Sequence, residues 1–170
     1  MRSIEVRTAS STITPDAAFD LIADFARYSD LVDEVNSVTV HTHEAGHLLS
    51  DWEVRFRNGP LRWSEVDYVQ PELRRIVFEQ TTGDFQTFRG VWSVEPVDAG
   101  CEVKFEATFD FGIPSLAGIL EPIATKVLKE GIAIVVHRLL PDAAVVGDPQ
   151  THAAVIERIN ADAERALIAS

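Results

Sequence analysis

Residues 101–111 read CEVKFEATFDF, in which apolar and polar side chains alternate at every position. Alternation with a period of two is typical of a strand that buries one face and exposes the other. Beyond Pro114 the apolar residues recur every three or four positions as far as Leu139, which predicts a long helix. A sheet with one apolar face can bury that face by curling around such a helix.

Five more segments upstream of Cys101 show the same alternation, and turn-forming sequences separate them. The predicted strands are Asn36–Thr42, Leu48–Arg57, Leu61–Val69, Arg75–Gln80, Thr87–Glu95 and Cys101–Phe111. A short strand around residues 4–6 precedes them, so the predicted antiparallel sheet has seven strands.

Two short helices are predicted between the first strand and the other six. The sequence Thr14-Pro15-Asp16 begins the first helix, because Thr can cap it, Pro suits its first position and Asp complements the helix dipole. The second runs from Ser29 to Val35. In the long C-terminal helix, Pro122 indicates either an early kink or a later start.

The segment from Pro141 to Pro149 resembles a linker, and Thr151 can cap a final helix. We therefore divide the chain into a domain over residues 1–140 and a linker with an extra helix over residues 141–170. The apolar stripe of that helix comprises Val155, Ile159, Ala163, Ala166 and Leu167. We expect the stripe to pack on its own domain or on a second copy of the chain, as a homodimer.

The composition excludes several classes of protein. The 170 residues include 15 Lys and Arg against 27 Asp and Glu, a net charge of −12, which disfavours binding to nucleic acids or anionic lipid surfaces. No apolar stretch is long enough to span a membrane, and residues 1–11 lack the apolar region of a signal peptide. A single cysteine, Cys101, fits a reducing compartment, so we expect a cytoplasmic protein.

Several segments carry a family resemblance. They are GDFQTFRGVW over residues 83–92, the alternating residues 103–111, Pro114-Ser115-Leu116 and Glu121-Pro122. From about Ile4 to Leu140 the sequence resembles the START-like or SRPBCC helix-grip superfamily, in particular its polyketide cyclase (aromatase/cyclase) and coenzyme-Q-binding branch. The resemblance implies an α+β fold in which a curved antiparallel sheet wraps around a long C-terminal helix and encloses a hydrophobic cavity. Members include aromatase/cyclases and carriers of lipids or quinones, so it indicates the fold better than the function.

The strand with Trp63 differs from the aromatase/cyclases it resembles. In those proteins an inward Trp is followed at alternate positions by Ser and then Arg, before a Pro. Here Trp63 and Pro71 keep that frame, but Glu65 and Asp67 stand between them. The basic residue that would bind a polyketide oxygen is thus replaced by a carboxylate.

The hairpin around Asn58-Gly59 predicts where these acids point, because this dipeptide favours a two-residue type I′ turn. The resulting pairs are Phe56 with Leu61, Val54 with Trp63, Trp52 with Glu65 and Ser50 with Asp67. Since the apolar side chains of that strand must face inward, Glu65 and Asp67 face the cavity as well. In the alternative, both acids lie at the rim, solvated or paired with arginine.

Two carboxyl groups in an apolar pocket cannot easily both be charged, so the pKa of one should rise. One acid then serves as a base and the other as an acid, with Tyr28 as a third candidate catalytic residue that donates to a ligand oxygen. In the alternative, Tyr28 is a core residue whose hydroxyl already has a partner. The predicted substrate-binding wall consists of Trp52, Phe56, Trp63, Phe78, Phe88, Trp92, Phe105 and Phe109. The alternation places Arg89 outside; in the alternative it enters the cavity, balances an acid and binds substrate.

No motif predicts a metal or a cofactor. His41 and His43 alternate on one strand with His47 beyond a turn, but they lie on the outward face without a completing ligand. The predicted function is that of a polyketide cyclase or aromatase-like enzyme, which binds a hydrophobic intermediate and promotes cyclisation or dehydration by acid–base catalysis. The alternatives are a non-enzymatic carrier of a quinone or lipid, and a protein-interaction module.

Overall fold

Over its described residues, the protein forms one antiparallel sheet and four α-helices, as seen in a computed structural model. The structure describes residues 1–42, 47–56, 59–112 and 114–169, without the side chains of Phe56 and residues 114–121. The strands are β1 (Arg2–Ser10), β2 (Val35–Thr42), β3 (His47–Phe56), β4 (Gly59–Gln70), β5 (Arg75–Gly83), β6 (Thr87–Val97), β7 (Gly100–Asp110) and β8 (Ala144–Val145). The helices are α1 (Pro15–Ala23), α2 (Tyr28–Leu31), α3 (Pro114–Leu139) and α4 (Pro149–Ala169).

The strand order is β2-β3-β4-β5-β6-β7-β1-β8, and every neighbouring pair is antiparallel. The sheet therefore has eight strands where seven were predicted. The additional strand lies in the segment interpreted as a linker, where Ala144 and Val145 pair with Ala9 and Thr8. This pairing covers part of the edge of β1 whose backbone groups would otherwise lack partners.

The long helix α3 packs on β1 and β7 and contacts all three other helices. Its residues Ala133–Val136 are buried in succession, which explains why its apolar pattern is broader than that of a surface helix. Helix α3 begins at Pro114 and includes Pro122, so the later start considered from the sequence is wrong. The α+β helix-grip arrangement is thus confirmed, apart from the number of strands.

The first short helix begins as predicted, whereas the second is shorter than predicted. Thr14 caps α1 by accepting a hydrogen bond from the backbone N–H of Ala17 at 3.3 Å, and Pro15 is its first residue. Helix α2 ends at Leu31, earlier than predicted, because Val35 already belongs to β2.

The register of β3 and β4 differs from the prediction by two residues. Trp52 lies opposite Trp63, and Ser50 lies opposite Glu65. The predicted turn at Asn58-Gly59 is wrong, because Gly59 pairs with Phe56 within the ladder; Asn58 lies outside the described residues. Since side chains alternate with a period of two, a shift of two residues leaves each one on its predicted face.

Helix α4 packs on α3 and β8 of the same chain through its first half. Thr151 and Val155 are buried and Ile159 packs against the core, whereas Ala163 and Leu167 are exposed. The predicted stripe is therefore buried only over its first two turns. No described helix is both long and apolar enough to cross a membrane.

Candidate functional site

A pocket of about 130 Å³ lies between the concave face of the sheet and helices α2 and α3. Its lining is mostly apolar and comes from Tyr28, Val32, Glu34, Val35, Trp52, Val54, Arg55, Trp63, Glu65, Phe78, Phe88, Trp92, Phe105, Val127, Leu128, Gly131, Ile132 and Val135. Typical small-ligand sites measure about 300–1,000 Å³, so this one is narrow. An apolar cavity of about 150 Å³ holds a benzene molecule. The space thus matches a single ring.

Aromatic side chains form most of the pocket wall. The rings of Trp52 and Trp63 stack with centroids 5.8 Å apart and an interplanar angle of 1°. Phe78 stacks on Phe105 at 5.6 Å, and Phe88 meets the edge of Trp63 at 5.3 Å. Such packing excludes water and leaves few polar groups in the wall.

Six of the eight predicted wall residues border the pocket: Trp52, Trp63, Phe78, Phe88, Trp92 and Phe105. Phe109 does not; it is fully buried and its ring contacts Phe85 and Phe111. The side chain of Phe56 lies outside the described part of the structure.

Arg89 is exposed on the outer face of the sheet, opposite Glu79 in the ladder. The inward alternative and the predicted substrate-binding role of Arg89 are therefore wrong. The physical reason is the alternation along β6, which buries Phe88 and turns its neighbour outward.

Glu65 and Asp67 are both buried on the inner face of β4. Glu65 is 5% exposed and borders the pocket. Asp67 is 0% exposed and lies behind it, without bordering the pocket. The alternative in which both acids are solvated at the rim is thus wrong, and so is the expectation that both line the cavity.

A chain of hydrogen bonds supports the two acids. Trp52 Nε1 donates to Ser50 Oγ at 2.8 Å, and Ser50 Oγ donates to Asp67 Oδ2 at 2.5 Å. Ser50 Oγ is also 3.4 Å from Glu65 Oε1, and Trp63 Nε1 donates to Glu65 Oε2 at 2.9 Å. Ser50 was missed as a site residue, although a serine among inward-facing apolar residues of β3 was a usable signal.

The electrostatics of the pair favour one shared proton. Burial, followed by the charge of Asp67, raises the pKa of Glu65 well above its ordinary value. Burial also raises the pKa of Asp67, opposed by hydrogen bonds from Glu65 and Ser50. Asp67 Oδ1 has no other partner among the described residues, so it is available to a proton carried by Glu65. The pair then holds one proton and one negative charge.

Tyr28 borders the pocket with its ring, but its hydroxyl is already engaged. The hydroxyl donates to the carbonyl oxygen of Ile22 at 2.6 Å. Burial, followed by the charges of Glu65 and Asp67, raises the pKa of Tyr28 well above its ordinary value. The hydroxyl proton predicted to reach a ligand thus belongs to a backbone hydrogen bond.

Two charged residues that the sequence analysis did not single out, Glu34 and Arg55, also border the pocket. Arg55 Nη2 is 3.9 Å from Glu34 Oε1, and Arg158 of α4 forms an ion pair with the same oxygen. His41 Nε2 lies 2.9 Å from Asp51 Oδ2 on the outer surface, and His43 lies outside the described residues. Within the part of the chain that the structure describes, no cluster of three or more His, Cys, Asp or Glu could hold a metal.

These features define a helix-grip protein with an aromatic pocket and a buried pair of acids. The chain belongs to the family described as "Polyketide cyclase / dehydrase and lipid transport", which matches residues 12–135. Helix α4 lies outside the matched range. No curated protein matches the chain.

Solved structures with the same fold include three informative neighbours. The protein TTHA0849 of Thermus thermophilus has a TM-score of 0.76 and 23% identity, over 83% of this chain and 96% of that one. The ZhuI aromatase/cyclase of Streptomyces sp. R1128 has a TM-score of 0.67 and 16% identity, over 82% and 92%. Norcoclaurine synthase of Thalictrum flavum has a TM-score of 0.64 and 14% identity, over 83% and 87%. At these identities the likeness establishes the fold.

Proposed function

We propose that the protein is an enzyme of the cyclase/dehydrase type, which acts on a hydrophobic, carbonyl-containing polyketide intermediate and promotes dehydration or cyclisation. The observation that carries the proposal is the buried pair Glu65–Asp67, of which Glu65 borders the aromatic pocket. A structural role alone gives little reason to bury two carboxyl groups side by side, because their repulsion and desolvation destabilise the fold. Perturbed carboxyl groups in a pocket are typical of acid–base catalysis.

Because Asp67 does not reach the pocket, proton transfer to and from the ligand passes through Glu65. When an acidic C–H beside a ligand carbonyl approaches, Glu65 passes its proton to Asp67 and accepts the proton from carbon. The C–H bond breaks, an enolate forms and the pair becomes neutral. This direction is favoured, since it removes a buried charge from the pair, whereas loss of the first proton would create two.

The same pair then completes the dehydration. The neutral pair returns a proton through Glu65 to the β-hydroxyl of the enolate, the C–O bond breaks and water leaves. The electrons of the enolate form the C=C bond, and the pair again holds one proton and one negative charge. The aromatic wall assists both steps by excluding water from the reacting atoms.

The pocket volume restricts the ligand. A space of about 130 Å³ holds one ring, so a larger polyketide requires the wall to open. We expect the half-exposed Trp52 to move, because the other tryptophans, Trp63 and Trp92, are buried.

The test is turnover of a phenyl-substituted β-hydroxy ketone, whose dehydration gives a conjugated enone that absorbs in the near ultraviolet. We expect Glu65→Gln and Asp67→Asn to lower the rate by about 100-fold or more, the usual contribution of a general acid or base. Substrate binding should persist in both variants. Glu79→Gln, which removes an exposed acid on the outer face of β5, is the matched control.

A non-enzymatic carrier is the second candidate, favoured by the nearly apolar pocket lining. Turnover measurements distinguish the two candidates. Unchanged turnover in both acid variants, or no acceleration by the parent protein, contradicts the enzyme; ligand binding that persists in such a case supports the carrier.

A further inference from the structure

A network of ion pairs joins helix α4 to Glu34 and Arg55 at the border of the pocket, in a chain whose net charge is −12. The network consists of Arg55, Arg138, Arg158 and Arg165 with the carboxylates Glu34 and Asp162. Of these four arginines, Arg55 borders the pocket and is placed to attract an anionic ligand.

Arg158 controls the charge at the pocket. It forms an ion pair with Glu34 Oε1, and its Nε is 3.3 Å from Asp162 Oδ1. The hydrogen bond with Glu34 raises the pKa of Arg158. Burial opposes ionisation of Glu34, but the hydrogen bond from Arg158 and the charges of Arg158 and Arg55 lower the pKa of Glu34 overall. The ion pair with Arg158 therefore ties the ionised carboxylate of Glu34 to helix α4.

Arg55 has more hydrogen-bonding capacity than the described residues around it use. Its side chain is 58% exposed, and Glu34, at 3.9 Å, is the only carboxylate within 4 Å among the described residues. A guanidinium group has five N–H donors and binds a carboxylate in a two-pronged geometry. The backbone N–H of Arg55 donates to the carbonyl oxygen of Glu34 at 2.7 Å, and this hydrogen bond fixes Arg55 at the pocket border.

We propose that the ligand is an amphipathic carboxylate, whose apolar body lies among the aromatic rings and whose carboxylate binds Arg55 at the solvent-exposed end of the pocket. Arg158 is a positioning residue: by holding Glu34, it leaves Arg55 able to bind the ligand. Helix α4, which lies outside the range matched by the family, thereby contributes to ligand selectivity. The inference rests on the proposed use of this pocket as the ligand site.

The experiment compares the binding of 3-phenylpropionate and its primary amide by calorimetry. The parent protein should bind the carboxylate about tenfold more tightly than the amide, as expected for a charge-assisted hydrogen bond at a partly exposed site. Arg55→Gln should abolish this preference and leave the affinity for the amide unchanged. Arg62→Gln, on β4 and paired with Glu53, is the control and should keep the preference.

Arg158→Gln distinguishes positioning from mere structural support. We expect the preference to fall, because Glu34 then competes with the ligand for Arg55, and adding Glu34→Gln should restore it. A loss of packing alone would not be rescued by the second substitution. The circular dichroism of each variant checks that it is folded.

Three results overturn the inference. They are equal affinities of the parent for carboxylate and amide, a preference that survives Arg55→Gln, or no binding of the carboxylate at millimolar concentration. Binding is measured without turnover, so these results do not depend on the catalytic activity of the acid pair. A protein with no catalytic activity but an Arg55-dependent preference would refute the proposed enzyme and leave this inference intact.

Discussion

The hydroxyl of Ser50 on β3 donates a hydrogen bond of 2.5 Å to Asp67 on β4, and both residues are completely buried. Ser50 therefore stabilises the ionised form of Asp67, at a position where no cation does so within the described part of the chain. Ser50 also accepts a hydrogen bond from Trp52 Nε1, so it links this residue of the pocket wall to the acid pair.

Replacing Ser50 with alanine should raise the pKa of Asp67, because the anion loses a donor. We expect the acid limb of the pH–rate profile to move to higher pH, and the free energy of unfolding near pH 8 to fall by about 1–3 kcal/mol, the effect of an unsatisfied buried acceptor. Urea denaturation and the pH–rate profile measure the two effects. An unchanged profile would show that Ser50 does not tune the pair.

The acid pair should make the free energy of unfolding fall as the pH rises. A carboxyl group whose folded-state pKa is raised contributes stability that is fully present below its unfolded pKa, at about pH 4, and is lost as the pH rises through the folded pKa. Glu65→Gln, whose amide can still donate to Asp67, removes this loss. The variant should thus gain stability relative to the parent between pH 5 and pH 8, by about 1 kcal/mol or more.

Glu79→Gln is the matched control for that series, since Glu79 is exposed on β5. Urea denaturation of all three proteins across the pH range checks the prediction. A difference between Glu65→Gln and the parent that stays constant with pH contradicts it.

Gly131 keeps space open in the pocket. It borders the pocket from the middle of α3, and a Cβ atom added there meets nothing within 4 Å. Gly131→Ala should stabilise the protein by about 0.5–1 kcal/mol, because glycine disfavours a helix interior. Gly131→Leu should also fold, but it should weaken binding of 3-phenylpropionate at least tenfold because the leucine side chain fills the pocket.

Gly90 provides the contrast, since an added Cβ would lie 2.2 Å from the carbonyl oxygen of Glu106 and 2.8 Å from the ring of Phe78. Gly90→Ala should destabilise the fold, whereas the Gly131 variants should not. Thermal denaturation and calorimetry separate these effects. Full ligand affinity in Gly131→Leu would place the ligand elsewhere.

Helix α4 should contribute to stability through its buried first half. Val155→Ala removes two buried methyl groups and should lower the free energy of unfolding by about 1–2 kcal/mol. The neighbouring exposed Ile156 is the control, and Ile156→Ala should change stability by less than about 0.5 kcal/mol. Equal effects in urea denaturation would mean that α4 is not docked through Val155.

The sequence was sufficient to predict the sheet and the long helix, because strict alternation in β7 and helical spacing in α3 both follow from one buried face. It also predicted the inward face of Glu65 and Asp67 despite a wrong turn. An error of two residues in register preserves the face, whereas an error of one would have reversed it.

Other features depend on contacts between distant segments and could not be predicted. The pairing of Ala144 and Val145 with β1 involves only two residues, too few to show a pattern. The ion pair of Arg158 with Glu34 joins segments more than 120 residues apart. The division into residues 1–140 and 141–170 and the homodimer stay predictions.

The central claim is that Glu65 and Asp67 share one proton beside the pocket. Its most direct test is carbonyl-carbon NMR of the two side chains across pH, in the parent and in Glu65→Gln and Asp67→Asn. We predict coupled titrations in the parent, with Glu65 still protonated well above its ordinary pKa, and a lower pKa for Glu65 in Asp67→Asn, where the neighbouring charge is removed. Two independent titrations at ordinary carboxyl pKa values, unchanged in the single variants, would contradict the claim.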